Sequence, residues 1–260
     1  MYKPRDNCQS VAVKLLVLTT TGLLVGACDN ISWTGPTDVD QSPSGFYSGS
    51  FTSTDVQPSP DRQAIGAISE DFDAQFLLAD QHYAGIAAVN GTLLSGSLTE
   101  YRGRQGVFVG FDGQSTVSYV GEVTERDGMF GTYEGVGAEG RFGLTYSSAY
   151  EDGSLLDRLA GIWSYSESLS GGGIYTITLD LDDNGQLFAT DTAGCAFNGQ
   201  LTIIDGRYIA YRAAVSVSTC GEVNGDYSGL AFYPSPGAAD FLYFGTDNGQ
   251  FAFAIQFERL

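Results

Sequence analysis

The clearest pattern in the chain is a strict alternation of apolar and polar residues in short runs. Residues 175–182 (YTITLDLD) and 251–258 (FAFAIQFE) are the clearest cases. A period of two is typical of a β-strand with one buried face and one solvated face. Asn-Gly and Asp-Gly steps, such as Asn184-Gly185, separate the runs and tolerate the positive φ of tight hairpin turns. The pattern predicts an all-β, antiparallel meander.

A weak internal repeat divides the chain into two modules. The matched segments, in the same order in both halves, are residues 45–48 with 161–164, 83–85 with 197–199, 119–121 with 227–229, and 142–146 with 251–255. Aromatic-x-Gly triplets recur in these segments, and a glycine under a ring lets a strand bend sharply. We predict a first β module at residues 45–150 and a second at 151–260. Each has about eight strands that form a small meander barrel, and β-sandwiches are the alternative.

The second module gives the more detailed prediction. Its expected strands are residues 161–167, 174–182, 186–192, 196–204, 207–218, 226–233, 240–246 and 250–258. A short helix is expected at residues 154–160, with Ser154 as its cap. The Gly161-x-Trp163 opening that follows this turn resembles the first strand of lipocalin-type barrels. The resemblance covers only these residues and implies an eight-stranded barrel.

The start of the chain has the pattern of an export signal. An apolar run at residues 15–28 follows Lys3, Arg5 and Lys14, and it is too short to span a bilayer comfortably. The run ends in VGAC, which resembles the bacterial lipobox, whose cysteine is lipidated and becomes the new N-terminus. We predict that Cys28 is this cysteine. An ordinary cleaved signal with a chance cysteine is the alternative.

The lipobox resemblance implies a lipid-anchored protein of the bacterial cell envelope. Residues 1–27 would then be the signal peptide, and residues 28–44 a flexible spacer between lipid and fold. Stable anchoring needs more than one acyl chain, since each buried CH₂ contributes only about 0.8 kcal/mol. Asp29-Asn30 resembles the enteric signal for the inner membrane, but other bacteria use other rules. The membrane and its leaflet stay open.

Charge narrows the choice of partner. The chain has 12 Lys and Arg against 31 Asp and Glu, and without residues 1–27 it keeps 9 arginines against 30 acidic residues, a net charge of −21. Nucleic acid and anionic lipid headgroups repel such a body. We therefore predict a membrane partner through the lipid anchor, an envelope protein or ligand as the other partner, and no nucleic acid.

One pair of cysteines remains in the body of the protein. Cys8 leaves with the signal and Cys28 is the lipid site, which leaves Cys195 and Cys220. In an exported chain such a pair predicts a disulfide. Closing a loop of about 25 residues contributes roughly 3 kcal/mol to stability. A metal site is the alternative, but it lacks ligands because His82 is the only histidine.

One acidic turn fits the opening of a calcium loop. Asp180, Asp182 and Asn184 match D-x-D-x-N-G, and Asp191 stands where the twelfth-position glutamate belongs. Calcium prefers six to eight oxygen ligands, which closely spaced carboxylates supply. Aspartate is shorter than glutamate, however, and strands rather than helices flank the turn. A plain Asn-Gly hairpin with solvated aspartates is the favoured interpretation, and no other cofactor is expected.

Other candidate residues are few. Arg102 and Arg104 form the only local basic cluster of the body, and they fit contact with an anionic partner or a solvated loop. Tyr208, Tyr211 and Arg212 line a pocket or fill the core, and core is favoured.

Catalytic chemistry finds little support in the sequence. His82 has no nucleophile motif such as G-x-S-x-G nearby and is expected at the surface. No phosphate loop, zinc motif or dinucleotide fingerprint is present. We predict a non-enzymatic binding module. The alternatives are a structural or assembly component of the envelope, an inhibitor of a hydrolase, or a carboxylate-based glycan hydrolase.

Overall fold

The structure is a computed structural model that describes residues 41–54, 61–104, 107–109, 115–135, 138–169, 171–234 and 240–260. The predicted signal peptide, the predicted lipid site Cys28 and most of the predicted spacer lie outside these residues. Among the helices of the described part, none has the length and apolarity needed to cross a membrane.

The described residues form seventeen β-strands and three short helical segments. In the first half the strands are β1 (Gly45–Ser53), β2 (Asp61–Ile68), β3 (Asp73–Leu77), β4 (Gln81–Asn90), β5 (Leu93–Arg104), β6 (Val107–Val109), β7 (Ser115–Thr124), β8 (Gly128–Gly135) and β9 (Ala138–Ser147). In the second half they are β10 (Gly161–Ser168), β11 (Ile174–Leu181), β12 (Gln186–Asp191), β13 (Ala196–Ile203), β14 (Ala210–Ser218), β15 (Gly225–Phe232), β16 (Phe241–Asp247) and β17 (Phe251–Arg259). The helical segments are 3-10 helices at Ser148–Asp152 and Gly221–Val223, and the helix α1 (Leu156–Leu159).

These strands close into two antiparallel barrels of eight strands each. The first follows the order β1-β2-β3-β4-β5-β7-β8-β9, and β9 pairs back onto β1. The second contains β10 to β17 in chain order, and it closes where Trp163 and Ser164 pair with Arg259 and Glu258. Strand β6 pairs with both β5 and β17, so it links the barrels. The predicted tandem barrels are confirmed, and the sandwich alternative is wrong.

The sequence repeat corresponds to equivalent strands. Its four matched segments lie in the first, fourth, sixth and eighth strands of each barrel. Glycine is needed at these places because the strands approach each other closely. A Cβ atom at Gly121 would lie 2.2 Å from the carbonyl oxygen of Phe130, and one at Gly229 would lie 2.1 Å from that of Gly245. The internal repeat is confirmed.

In the first strand of each barrel, a fully buried aromatic residue hydrogen-bonds to a backbone carbonyl four residues earlier in the chain. The Tyr47 hydroxyl donates to the carbonyl of Pro43 at 2.8 Å, and the Trp163 indole N–H donates to that of Leu159 at 2.8 Å. In the second barrel, the Arg259 guanidinium also lies 4.2 Å from the centre of the Trp163 ring. The same guanidinium donates to the carbonyl of Ala160 at 2.8 Å. This cluster closes the end of the second barrel.

The helix before the second barrel differs from its prediction. It is a single turn, and Leu155 rather than Ser154 occupies the position before it. The Ser154 hydroxyl instead donates to the carbonyl of Tyr208, which lies between β13 and β14. A tertiary hydrogen bond thus replaces the local cap that the sequence suggested.

Side chains fill both barrels. The first encloses a void of about 20 Å³ among Phe51, Tyr83, Tyr133 and Phe142, and the second a void of similar size around Phe253. Such a space holds about one water molecule. Within the described residues, neither interior has room for a carried ligand.

The barrels pack through the outer faces of neighbouring strands. One apolar cluster there contains Phe46, Ala67, Tyr150, Ile209, Ala210, Leu230 and Phe232, and a second contains Leu77, Ala84, Tyr101, Ala252 and Ala254. Between them, Gln75 of β3 lies over Gly229 and Gly245 of the second barrel. Both barrels belong to one compact unit, Asp38–Leu260.

The first described residue is held at one end of the first barrel. The Gln41 N–H donates to the carbonyl of Gly91 at 2.9 Å, and its side-chain oxygen accepts from the N–H of Glu125 at 3.2 Å. Gly91 lies in the β4–β5 turn and Glu125 in the β7–β8 turn. The chain therefore enters the fold at the end of the barrel that carries these two turns.

Leucine at position 245 is expected to reduce the free energy of unfolding by about 2–3 kcal/mol. A Cβ atom on Gly245 would lie 2.4 Å from the Gln75 side-chain oxygen and 3.0 Å from a ring carbon of His82, both within the packed contact between barrels. The matched control is Gly143→Leu, because a Cβ atom on Gly143 meets nothing within 4 Å. Urea denaturation followed by circular dichroism measures both. Equal losses in the two variants would contradict the assigned contact.

Candidate functional site

A concave feature of the described surface is a cleft between the two barrels. It has a volume of about 270 Å³, far more than the void in either barrel. Its lining comes from both barrels: Asp73, Ala74, Gln75, Ala84, Gly85, Ile86 and Thr99 from the first, and Arg212, Ser228, Gly229 and Asp247 from the second. We call this feature the inter-barrel cleft. Its mixed polar and apolar lining makes it the candidate functional site.

One wall of the cleft is an ion pair that joins the barrels. The guanidinium of Arg212 in β14 donates to the carboxylate of Asp73 at 3.0 Å and to that of Asp71 at 2.5 Å. Both aspartates lie at the turn between β2 and β3. All three side chains are partly exposed, and such ion pairs contribute at most about 1 kcal/mol each. The pair therefore shapes and charges the wall more than it holds the barrels together.

The second barrel also contributes a half-buried carboxylate to the lining. One oxygen of Asp247, Oδ1, accepts from the Tyr101 hydroxyl at 2.8 Å and from the N–H of Gly249 at 3.0 Å. Burial raises the pKa of Asp247, although these hydrogen bonds act in the opposite direction. Burial, and next the Asp247 charge, raise the pKa of Tyr101. The tyrosine therefore stays protonated and donates, which fixes the carboxylate at the wall.

The floor of the cleft includes a buried amide. Gln75 projects from β3 across Gly229, and only 6% of its surface is exposed. In the described structure its side-chain oxygen accepts no hydrogen bond. A buried acceptor without a donor costs about 1–3 kcal/mol, so it favours any ligand or water that supplies one.

An exposed apolar surface begins at the rim of the cleft. Ile86 lines the rim and is 62% exposed, and Leu93, Val120 and Phe130 lie beyond it on the outer faces of β5, β7 and β8. Val120 pairs across strands with Ser95 and Thr132, and Glu122 lies between Leu93 and Phe130. We call Ile86, Leu93, Val120 and Phe130 the outer patch. An apolar centre among hydroxyl and acidic groups is the anatomy of a protein-binding surface.

The predicted basic residue Arg102 lies elsewhere, at one end of the first barrel. It donates through Nε at 2.9 Å to Glu100, whose side chain is fully buried. Gln81 and Ser115 donate to the same carboxylate at 2.5 Å and 2.6 Å. The Arg104 backbone ends β5, and its side chain lies outside the described part. Since Arg102 neutralises an internal charge, anion binding by this pair stays a prediction.

Three of the predicted calcium ligands lie at the β11–β12 turn. Asp180 is exposed in β11, and Oδ1 of Asp182 accepts from the backbone N–H groups of Asn184 at 2.9 Å and Gln186 at 2.7 Å. These hydrogen bonds are those of an ordinary aspartate-capped turn.

The fourth predicted ligand is not brought to this turn. Asp191 ends strand β12, roughly 16 Å away along a strand that rises about 3.3 Å per residue. There its Oδ1 accepts from the N–H groups of Ala193 and Cys195, and its Oδ2 from the Tyr175 hydroxyl at 2.8 Å. The four residues therefore do not surround one common point, and Asp191 caps a second turn.

The predicted disulfide is confirmed. Cys195 and Cys220 are bonded, with Cα atoms 4.6 Å apart, and the bond ties the β12–β13 turn to the segment after β14. Asp191 and the two sulfurs lie close together, but the sulfurs are bonded to each other and offer no thiolate to a metal.

The surface prediction for His82 is wrong. The residue is buried between the barrels on the outer face of β4, and its ring stacks on Tyr101 with centres 5.9 Å apart. Burial lowers the pKa of His82 to about 3. The outer face of β4 would be solvated in an isolated barrel, but here the second barrel covers it.

Sequence reasoning found only part of the cleft. Arg212 was a pocket candidate, whereas Tyr211 beside it is core and Tyr208 packs between the barrels. Asp73, Gln75 and Asp247 carry no local motif, because they meet only after two distant segments pack together. One usable signal is that Gly229 and Gly245, on neighbouring strands, lack side chains and so leave room for Gln75.

Comparisons with known proteins give little beyond this geometry. No protein-family model and no curated protein matches the chain. Among solved structures, Aeromonas veronii immune modulator A is similar over 86% of this chain and 97% of its own, with 10% sequence identity and a TM-score of 0.39. So weak a similarity supports no conclusion about fold or function.

Proposed function

We propose that this chain is a lipid-anchored protein of the bacterial cell envelope that binds a partner protein without catalysing a reaction. The observation that carries the proposal is the filling of both barrels, each of which leaves a void for about one water molecule. Binding therefore uses the outside of the molecule. The outer patch and the adjoining inter-barrel cleft are the surfaces that suit it.

The outer patch has the composition expected of a partner site. Val120 and Phe130 are 48% and 58% exposed, although burying such side chains is favourable by about 1.5–3 kcal/mol each. Thr116, Ser118 and Thr132 are exposed on the same strands and offer hydrogen bonds, while Glu122 between Leu93 and Phe130 and Glu134 on β8 make the surface negative. These features favour a partner with an apolar centre and basic surroundings.

Mutation of the patch tests the proposed partner binding. We expect the double variant Val120→Ser, Phe130→Ser to reduce capture of the partner from envelope extracts at least about tenfold, because central apolar residues dominate interface energetics. The matched control is Ile174→Ser, Phe188→Ser, which removes equally exposed residues from the second barrel. Quantitative mass spectrometry of chemically cross-linked complexes measures capture. The proposal fails if the wild-type chain captures nothing above background, or if both double variants behave alike.

Substitution of the lipid site tests the localisation. We expect Cys28→Ala to move the protein from the membrane fraction to the soluble fraction and to abolish incorporation of an alkyne-labelled palmitate, because Cys28 is the predicted acylation site. Cys8→Ala is the matched control, since Cys8 lies in the segment predicted to be removed. Continued membrane association and labelling of the Cys28→Ala variant would rule out this anchor.

A further inference from the structure

The inter-barrel cleft has more negative than positive charge. Arg212 is the only cation among the described residues that line it, and its two terminal nitrogens already donate to Asp71 and Asp73. Asp247, which also lines the cleft, adds a third carboxylate that makes no ion pair with Arg212. Three carboxylates thus lie in or beside the cleft against one guanidinium, and the cleft favours a further positive group.

Among the described residues, Asp247 has no cationic partner in the cleft. Its Oδ1 is occupied by Tyr101 and Gly249, and the described arginines make no ion pair with its carboxylate. A half-buried carboxylate without a cation is unfavourable, because burial removes part of its hydration. A cation that enters the cleft would restore that lost interaction.

A second observation, independent of the acidic groups, also indicates a ligand with hydrogen-bond donors. The Gln75 side chain on the cleft floor is more than nine-tenths buried, and its oxygen has no donor. The oxygen lies over Gly245 and the nitrogen over Gly229, which lines the cleft, and a half-turn of the amide brings the oxygen to the cleft. A guanidinium or ammonium group carries several N–H donors, enough for both Asp247 and this amide.

The remaining lining fits an alkyl stem rather than a bare metal ion. Ala84, Gly85 and Gly229 provide apolar or backbone surface, and Ile86 continues that surface to the rim. Lysine and arginine bury their methylene stems against such surfaces while the charged group reaches polar partners. Ile86 lies on the same outer face of the first barrel as Val120, with serines of β5 between them, so the cleft opens beside the patch.

We infer that the inter-barrel cleft receives a single arginine or lysine side chain of the partner protein, with its cation at Asp247 and its stem against Ala84 and Ile86. This inference rests on the proposed function and specifies the partner chemistry at the same surface. The inserted residue acts as an anchor beside the apolar contact of the outer patch, as buried arginines do at other interfaces.

The experiment titrates small cations into the full chain in detergent and records NMR shifts. The probes are N-acetyl-argininamide, N-acetyl-lysinamide, the neutral analogue N-acetyl-citrullinamide and calcium chloride. We expect both cationic amides to shift cleft signals saturably, and the citrulline analogue to bind at least about tenfold more weakly because it lacks the charge. Equal binding of the citrulline analogue, no saturable shift with either cationic amide, or calcium binding tighter than both would overturn the inference.

Variants assign any binding to the cleft. Asp247→Asn keeps an oxygen that can accept from Tyr101 and Gly249, and it should weaken N-acetyl-argininamide binding about tenfold. The control is Asp226→Asn, because Asp226 is exposed on the same sheet but outside the cleft lining. This variant should change the affinity for N-acetyl-argininamide less than about twofold. Should Asp247→Asn fail to fold, Ser228→Arg replaces it. Ser228 pairs with Asp247, so an arginine there should occupy the cleft and abolish binding. Unchanged binding in both cleft variants would overturn the inference.

The same variants separate this inference from the proposed function. If cross-linked partner capture depends on the outer patch but not on Asp247, the cleft inference fails and the proposed function stands. If the wild-type chain captures no partner, the proposed function fails, while the titration still shows directly whether the cleft binds an alkyl cation.

Discussion

Replacing Trp163 with alanine is expected to remove about 4 kcal/mol from the free energy of unfolding of the second barrel. Trp163 is fully buried, its N–H donates to Leu159, and its ring packs edge-on against Tyr233 with centres 5.7 Å apart. Arg259 covers the other side of the ring. The truncation therefore leaves a cavity, an unsatisfied carbonyl and a guanidinium without its aromatic support.

Two further variants test this explanation for Trp163. Ile162→Ala, at the half-exposed neighbouring position, should change the free energy of unfolding by less than about 0.5 kcal/mol. Trp163→Phe keeps most of the apolar surface but loses the N–H. Its loss in free energy of unfolding should lie between those of Trp163→Ala and Ile162→Ala. Urea titration followed by far-UV circular dichroism measures all three. If Trp163→Ala lost no more than Ile162→Ala, the cluster would not be what closes the second barrel.

Acidification from about pH 7.5 to about pH 4 is expected to cost about 3 kcal/mol of stability through His82 alone. Burial between the barrels lowers the pKa of His82 to about 3, from 6.5 for an unperturbed histidine. Because the folded pKa is the lower one, the stabilisation is complete above pH 6.5. It is lost as the pH falls toward 3, since the unfolded chain then binds a proton that the folded chain excludes.

A variant without the imidazole isolates this contribution. His82→Phe keeps an aromatic ring against Tyr101 but does not titrate. On acidification to about pH 4, its free energy of unfolding should therefore fall by about 3 kcal/mol less than that of the wild type. The pKa values of Glu70 and Asp247 are raised by burial and act in the opposite direction, but they cancel between the two proteins. Parallel pH profiles for wild type and variant would show that His82 is not excluded from water.

Much of the fold could be predicted because it follows from local chemistry. Period-two runs and Asn-Gly turns specify strands and hairpins, and the aromatic residues Tyr47 and Trp163 identify the first strand of each barrel. The disulfide could likewise be predicted, because only two cysteines remain in a chain that begins with a predicted export signal. These features depend on residues close in sequence or on simple repetition, so no knowledge of the tertiary contacts was needed.

The site could not be predicted in the same way because it exists only between the barrels. His82 has the pattern of a solvated position, and the second barrel removes it from solvent. Gln75 and Asp247 are 172 positions apart, and neither has a partner that a local motif would reveal. Asp191 had the right spacing for a calcium loop, but the hairpin keeps it extended and away from Asp182.

The attachment of Gln41 has a consequence for how the molecule meets its surroundings. With a lipid on Cys28, thirteen residues separate the bilayer surface from Gln41, a stand-off of at most about 45 Å. Such a tether would join the fold at the barrel end with the β4–β5 and β7–β8 turns, and Leu93 and Phe130 follow those turns. Its length would limit the height above the membrane at which a binding protein can be reached.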